Sequence, residues 1–206
     1  MAKLTLTTFV SLDGVMQAPG GPDEDTTGGF AYGGWVAPFA DGDMGVFMNE
    51  VFDRSGAFLL GRRTYDIFAA YWPRVTDPLD PIASRLNTLP KHVVSTTLTD
   101  PAWENTTVVP GDVPARIARL KEETAEGELQ IHGSGVLAQS LMPHGLIDEI
   151  NLLVYPVHLG SGRRLLPDGG QPRAFELTDL RSTGSGISIH TYRPAGRARF
   201  GTVGDM

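Results

Sequence analysis

With 206 residues, 41% of them hydrophobic, the chain can fill one substantial core but not two, so a single domain is expected. Cysteine is absent, which excludes disulfides, zinc–thiolate sites and thiol nucleophiles. The formal net charge of −7 and the scatter of the 17 basic residues give a nucleic-acid surface no support; 14 of them are arginines, whose planar fork suits phosphate and carboxylate.

The opening run MAKLTLTTFVSLDG alternates apolar and hydroxyl side chains and predicts a strand over about residues 3–10. It has neither the unbroken apolar core nor the cleavage site of a signal peptide. No later run approaches the roughly 18 apolar residues of a membrane span, so a cytoplasmic location is expected. Residues 13–43, rich in glycine, proline and acid, can hardly be helix or strand. A loop that long inside a compact domain reads as a lid or a substrate wall. DMGVFMNEVFDRSG predicts a short helix capped by Asp43 or Asp41 and closed near Gly56. AFLLG follows as a buried strand, RRTYDIFAAYW as a helix stopped by Pro73, and DPLDPIASRLNTLPK as a further short helix.

KHVVSTTL is rich in β-branched residues and predicts a strand, with a shorter one around TVVP. Residues 114–126 predict an amphipathic helix ending at Gly127, ELQIHG a strand, and GVLAQSLM a helix. LIDEINLLVYPVHLG is too β-rich for a helix, and AFELTDLRSTGSGISIHTYRP reads as a hairpin around Gly184-Ser185-Gly186. Residues 194–206 show no periodicity and are expected to form a flexible tail, leaving one domain over 1–193. The alternation predicts an α/β fold: a mainly parallel twisted sheet with helices on both faces and a C-terminal antiparallel hairpin. Ligands of such sheets sit beyond the carboxyl ends of the strands.

Three junctions at those ends suit phosphate. Gly133-Ser134-Gly135 stands between a strand and a helix, where glycine costs about 1 kcal/mol unless something approaches the backbone closely. GSGVLA formally matches G-x-G-x-x-A, but it comes late in the chain and lacks the acid about 20 residues on that a Rossmann ribose site expects. In LLGRRTYD a strand runs into Gly61, Arg62, Arg63 and Thr64; Thr64 is placed to cap a helix whose free N–H groups attract anions, with the arginines at its flank. In VVSTTL, Ser95 and Thr96 lie just beyond a strand.

Carboxylates offer two candidates for proton transfer. Asp43 stands at a helix start, where a cap is the alternative role, and Asp13 in SLDG, where a turn is. Asp148 and Glu149 point to opposite faces of a strand and read as a structural pair rather than a dyad. Gly160-Ser161-Gly162 with Arg163 and Arg164 reads either as a substrate-phosphate loop or as a loop with solvated charges. The five histidines show no metal spacing, so no metal is expected; His132 and His158 fall near the expected site and read as packed or hydrogen-bonded side chains.

The order SLDG, long loop, helix, LLGRRTY, VVST, IHGSGVLAQSL, LIDEINLLVYPVHLGSGRRLLP and final hairpin resembles the dihydrofolate reductase-like superfamily. Over about residues 3–193 it is most similar to the reductase domain at the C-terminus of bacterial bifunctional riboflavin-biosynthesis deaminase-reductases and to stand-alone members of that family. The resemblance implies an NADPH-dependent reductase that passes hydride to a C=N or C=O carbon of a small heterocycle, such as a 5-amino-6-(5-phosphoribosylamino)uracil-like or pterin-like compound. A non-catalytic NADP-binding or regulatory protein on the same fold is the alternative. It also implies residue roles: Gly61, Arg62 and Thr64 in the cofactor-binding turn, with Arg62 or Arg63 near the 2′-phosphate; Ser95 and Thr96 on the adenosine side. Gly133, Ser134, Gly135, Val136 and Leu137 would receive the diphosphate, Asp43 would be the catalytic acid, and a homodimer is expected. No zinc-deaminase motif is present, so a deaminase half is not expected in this chain.

Overall fold

Residues 1–204 are described by a computed structural model. In chain order the elements are β1 (Leu4–Ser11), α1 (Gly42–Asp53), β2 (Ser55–Gly61), α2 (Arg62–Tyr71), α3 (Pro81–Thr88), β3 (Lys91–Val94) and β4 (Thr106–Val109). They continue with α4 (Val113–Glu123), β5 (Glu128–His132), α5 (Gly135–Leu141), β6 (Glu149–Tyr155), β7 (Arg173–Ser182) and β8 (Ser188–Arg197). All eight strands form one sheet in the order β4-β3-β2-β5-β1-β6-β8-β7. The pairs from β4 to β6 are parallel, and β8 joins β6 and β7 antiparallel, as the hairpin pattern predicts.

Strand alternation distributes the apolar side chains to two cores. Leu4, Leu6, Ala57, Leu59, Leu129 and Ile131 pack beneath α4 and α5, against Ile117, Leu120 and Leu141. Phe58, Leu60, Val93, Leu153 and Tyr155 pack on the other face against Phe47, Val51 and Phe52 of α1 and Leu86 of α3. Each fully buried aliphatic or aromatic side chain contributes roughly 1.5–3 kcal/mol. The second face has a polar stripe at its centre, because β1 and β5 turn Thr5, Thr7, Glu128, Gln130 and His132 to that side.

Helix starts differ in a way that bears on the site. Asp41, Asp80 and Asp112 cap α1, α3 and α4 by accepting from the amides of Met44, Ala83 and Ala115, whereas α2 and α5 have no side-chain cap. Asp41 rather than Asp43 is therefore the cap of α1, and Thr64 lies inside the first turn of α2 and caps nothing. Ser95 ends β3 by accepting from the amides of Thr97 and Leu98. Asp148 and Glu149 pair with Lys121 and Lys3, so they are structural, at the sheet edge away from the phosphate-friendly junctions. The tail differs from expectation: β8 runs on to Arg197 because β7 supplies main-chain partners, with Pro194 opposite Phe175 beside a bulge. No regular element follows as far as Gly204, and the last two residues of the expected tail, Asp205 and Met206, lie outside the described residues.

Candidate active-site cleft

A cleft of about 1530 Å³ opens across the carboxyl ends of β1 and β5. Its floor is Thr7, Thr8, Phe9 and His132; an apolar wall comes from Met44, Met48 and Phe52 of α1 with Ile67 and Phe68 of α2. A polar wall comes from Arg63, Thr64, Gly133, Gly135, Val136 and Arg163, and residues 16–25 of the long loop cover it.

The turn from β5 into α5 holds Gly133 at φ 61° and Ser134 at φ 46°, both left-handed. Ser134 Oγ accepts from the Gly61 amide at 3.0 Å, and the Ser134 amide donates to Thr64 Oγ1 at 3.2 Å. The two glycine-bearing junctions are thus stitched to each other, and both hydroxyls are used within the protein. Gly135 is small for a further reason: a Cβ there would lie 2.3 Å from Met16 Sδ, so the loop rather than a ligand makes the close approach.

The expected cofactor residues divide accordingly. Arg63, Thr64, Gly133, Gly135 and Val136 line the cleft. Arg62 turns away to Asp66 and Thr97, Ser95 is spent on its turn, and Thr96 faces solvent. Leu137 is buried in the core beneath the sheet, and Gly61 and Ser134 act as the stitch just described.

Neither candidate acid reaches the cleft wall. Asp13 accepts from the amides of Leu159 and Gly160 and from the Ser11 hydroxyl, tying the end of β1 to the loop after β6. Burial would raise its pKa, but those hydrogen bonds outweigh it and hold the carboxyl at about 2. Asp43 is exposed and accepts from the Gly184 amide at 3.1 Å, fastening α1 to the hairpin turn. His158 is likewise exposed.

Asp25 was not singled out by the sequence, where it is one acid in the run DEDTT. Its side chain is only 5% exposed and accepts from Arg63, Arg163 and the Thr27 hydroxyl. Arg163 therefore belongs with Arg63 in one cationic cradle rather than in a solvated loop. The fit of this cradle to a phosphorylated ligand rests on Asp25 itself, whose Oδ2 is shared by two convergent guanidiniums as a phosphate oxygen would be. The uncapped first turn of α2 beside it adds free amides of the right sign.

His132 stacks on Phe52 at 4.4 Å and 13°, and burial lowers its pKa to about 3. The unfolded chain binds a proton below the ordinary 6.5 that the folded protein refuses until about 3, so stability falls on acidification through this window. Urea unfolding is expected to show a loss of about 2 kcal/mol from this residue between pH 6.5 and pH 5. Burial shifts His92 the same way, so the measure is the difference from a His132→Gln variant, whose acid limb should be flatter.

Solved structures share this fold. A protein of Shewanella sp. PV-4 named for riboflavin biosynthesis superposes with a TM-score of 0.66 at 22% identity, covering 94% of this chain and 99% of that one. Dihydrofolate reductase of Enterococcus faecalis, in complex with NADP(H), superposes with a TM-score of 0.59 at 16% identity over 94% of this chain and 96% of its own. The fold is dihydrofolate reductase-like. The chain belongs to the RibD C-terminal domain family, whose family model matches residues 2–189. The YyaP protein of Bacillus subtilis (strain 168) is 25% identical over 190 residues, 90% of this chain and 91% of its own. Among the described residues no cluster of three or more His, Asp or Glu could hold a metal ion, and no helix is long and apolar enough to cross a membrane.

Proposed function

We propose that the cleft binds NADPH and reduces a C=N or C=O group of a small heterocycle. The observation that carries this reading is the convergence of Arg63 and Arg163 on one anion at the polar wall of a cleft whose other wall is apolar. Arg63 and Arg163 would hold the 2′-phosphate in place of Asp25, and the amides at the start of α2 would face the diphosphate. Bound NADPH supplies hydride. Thr7, Thr8 and His132 support the reacting rings from below, Met48, Phe52 and Phe68 exclude water, and the 16–25 loop closes the site.

Binding without turnover is the second reading, favoured by the position of Asp13 and Asp43 outside the cleft wall. Fluorescence titration with NADPH and NADH tests the first step. A preference for NADPH of about tenfold or more, 1.4 kcal/mol, is expected, and equal affinities would count against the arginine cradle. NADPH oxidation with pyrimidine and pterin substrates then separates the two readings: turnover with any of them removes the second.

A further inference from the structure

We propose that His132 Nδ1 and the Thr7 hydroxyl form a matched acceptor and donor on the cleft floor that recognises the –NH–C(=O)– edge of a cyclic amide, with Gln130 as the positioning residue that sets the His132 tautomer. The proposal rests on the reading of the cleft as a reductase's substrate site.

The polarity can be followed from the surface inward. Arg54 Nε donates to Glu128 Oε1 at 3.1 Å, and Thr5 Oγ1 donates to Glu128 Oε2 at 3.1 Å. Gln130 Nε2 lies 2.6 Å from the Val51 carbonyl and 3.3 Å from Glu128 Oε2. Both of those partners can only accept, so the amide nitrogen of Gln130 must face them and its oxygen must face His132. His132 Nε2, 3.1 Å from that oxygen, must then carry the hydrogen. In the neutral ring this leaves the lone pair on Nδ1.

Nδ1 has no partner within the protein. It is also absent from the sealed, unpartnered side-chain atoms found among the described residues, His92 Nδ1 and Tyr155 Oη, so it opens to the cleft that His132 lines. The residue is 6% exposed, and its ring is stacked on Phe52, which fixes its plane. Thr7 lies directly opposite His132 in the β1–β5 register, about 4.8 Å away across neighbouring strands. Its Oγ1 accepts from Asn151 Nδ2, while Asn151 Oδ1 accepts from Thr191, so the Thr7 hydroxyl keeps its hydrogen to donate. An acceptor and a donor side by side match the N–H and C=O of a lactam or cyclic urea. They penalise a ring methylated at that nitrogen, which leaves Nδ1 desolvated and unpaired.

The test is ¹⁵N NMR of the full chain labelled at histidine, with the His132 resonances assigned by their loss in His132→Gln. At neutral pH, Nδ1 is expected in the unprotonated range and Nε2 in the protonated range. Uracil should move Nδ1 and leave Nε2 in place, whereas 1,3-dimethyluracil should move neither. Gln130→Leu should mix the two tautomers and weaken uracil by about tenfold, the order of one hydrogen bond, with NADPH affinity within about twofold of the parent. A proton on Nδ1 in the free protein, equal shifts with both pyrimidines, or no shift with either would overturn the proposal. The two readings fail separately. A protein that shifts with uracil but does not bind NADPH refutes the cofactor assignment, and one that oxidises NADPH without discriminating the pyrimidines refutes the pair.

Discussion

An Arg63→Ala variant is expected to bind NADPH roughly 10- to 100-fold more weakly than the parent, with NADH affinity changed by less than about threefold. The magnitude is that of charge-assisted hydrogen bonds to a partly desolvated anion, about 1.5–3 kcal/mol. Arg63 is the neighbour that faces the cleft, where it shares the Asp25 carboxylate with Arg163. Arg62→Ala is the control: its guanidinium is committed to Asp66 and Thr97 outside the cleft wall, so NADPH affinity should stay within about twofold. Titration of both variants with both dinucleotides decides the matter. Equal losses of NADPH and NADH in Arg63→Ala would place the arginine on the diphosphate, and a larger loss in Arg62→Ala would reverse the assignment.

Gly56→Ala should be strongly destabilising, costing about 3 kcal/mol or more. A Cβ at residue 56 would stand 1.9 Å from the Glu126 carbonyl oxygen, and one at Gly127 would stand 2.7 Å from the Gly56 amide. Both obstacles are main chain, which cannot swing aside as a side chain does. The crossing occurs where β2 and β5 shift register between Ser55 and Ala57, and the Glu128 amide holds the Arg54 carbonyl there at 2.8 Å. That register sets the height of Glu128, Gln130 and His132 along β5, so the damage should reach the cleft floor as well. A fall in Tm of about 6–12 °C is expected for a domain of this size. Gly42→Ala, with open space around residue 42, should be close to neutral. A Gly56→Ala protein within about 1 kcal/mol of the parent would contradict the close approach.

The fold was legible because its determinants are local and repetitive. LTLTTFVS alternates at its start because successive side chains of β1 point to opposite faces, Leu4 and Leu6 into one core and Thr5 and Thr7 into the polar stripe on the other face. The boundary errors are small and have causes. Residues 194–197 show no periodicity, yet β8 continues through them because an adjacent strand satisfies its backbone. The candidate site was legible at the level of segments: the loop, the GRRT turn and the GSG turn all meet at one cleft.

What the sequence by itself determined is therefore the order of elements, the parallel core with its hairpin edge, and the meeting of the GRRT and GSG turns at the carboxyl ends of the strands. Propensity, periodicity and turn chemistry act over a few residues and can be read there. Only the tertiary structure decided which polar groups remain available to a ligand. Ser134 is taken by Gly61, 73 residues away, Asp13 by Gly160, 147 away, and Arg63 by Asp25, 38 away, while His132 keeps an open lone pair. The physical reason is that a hydrogen-bonding side chain is committed by whichever partner folding brings within about 3 Å, and no local pattern records a partner from the far end of the chain.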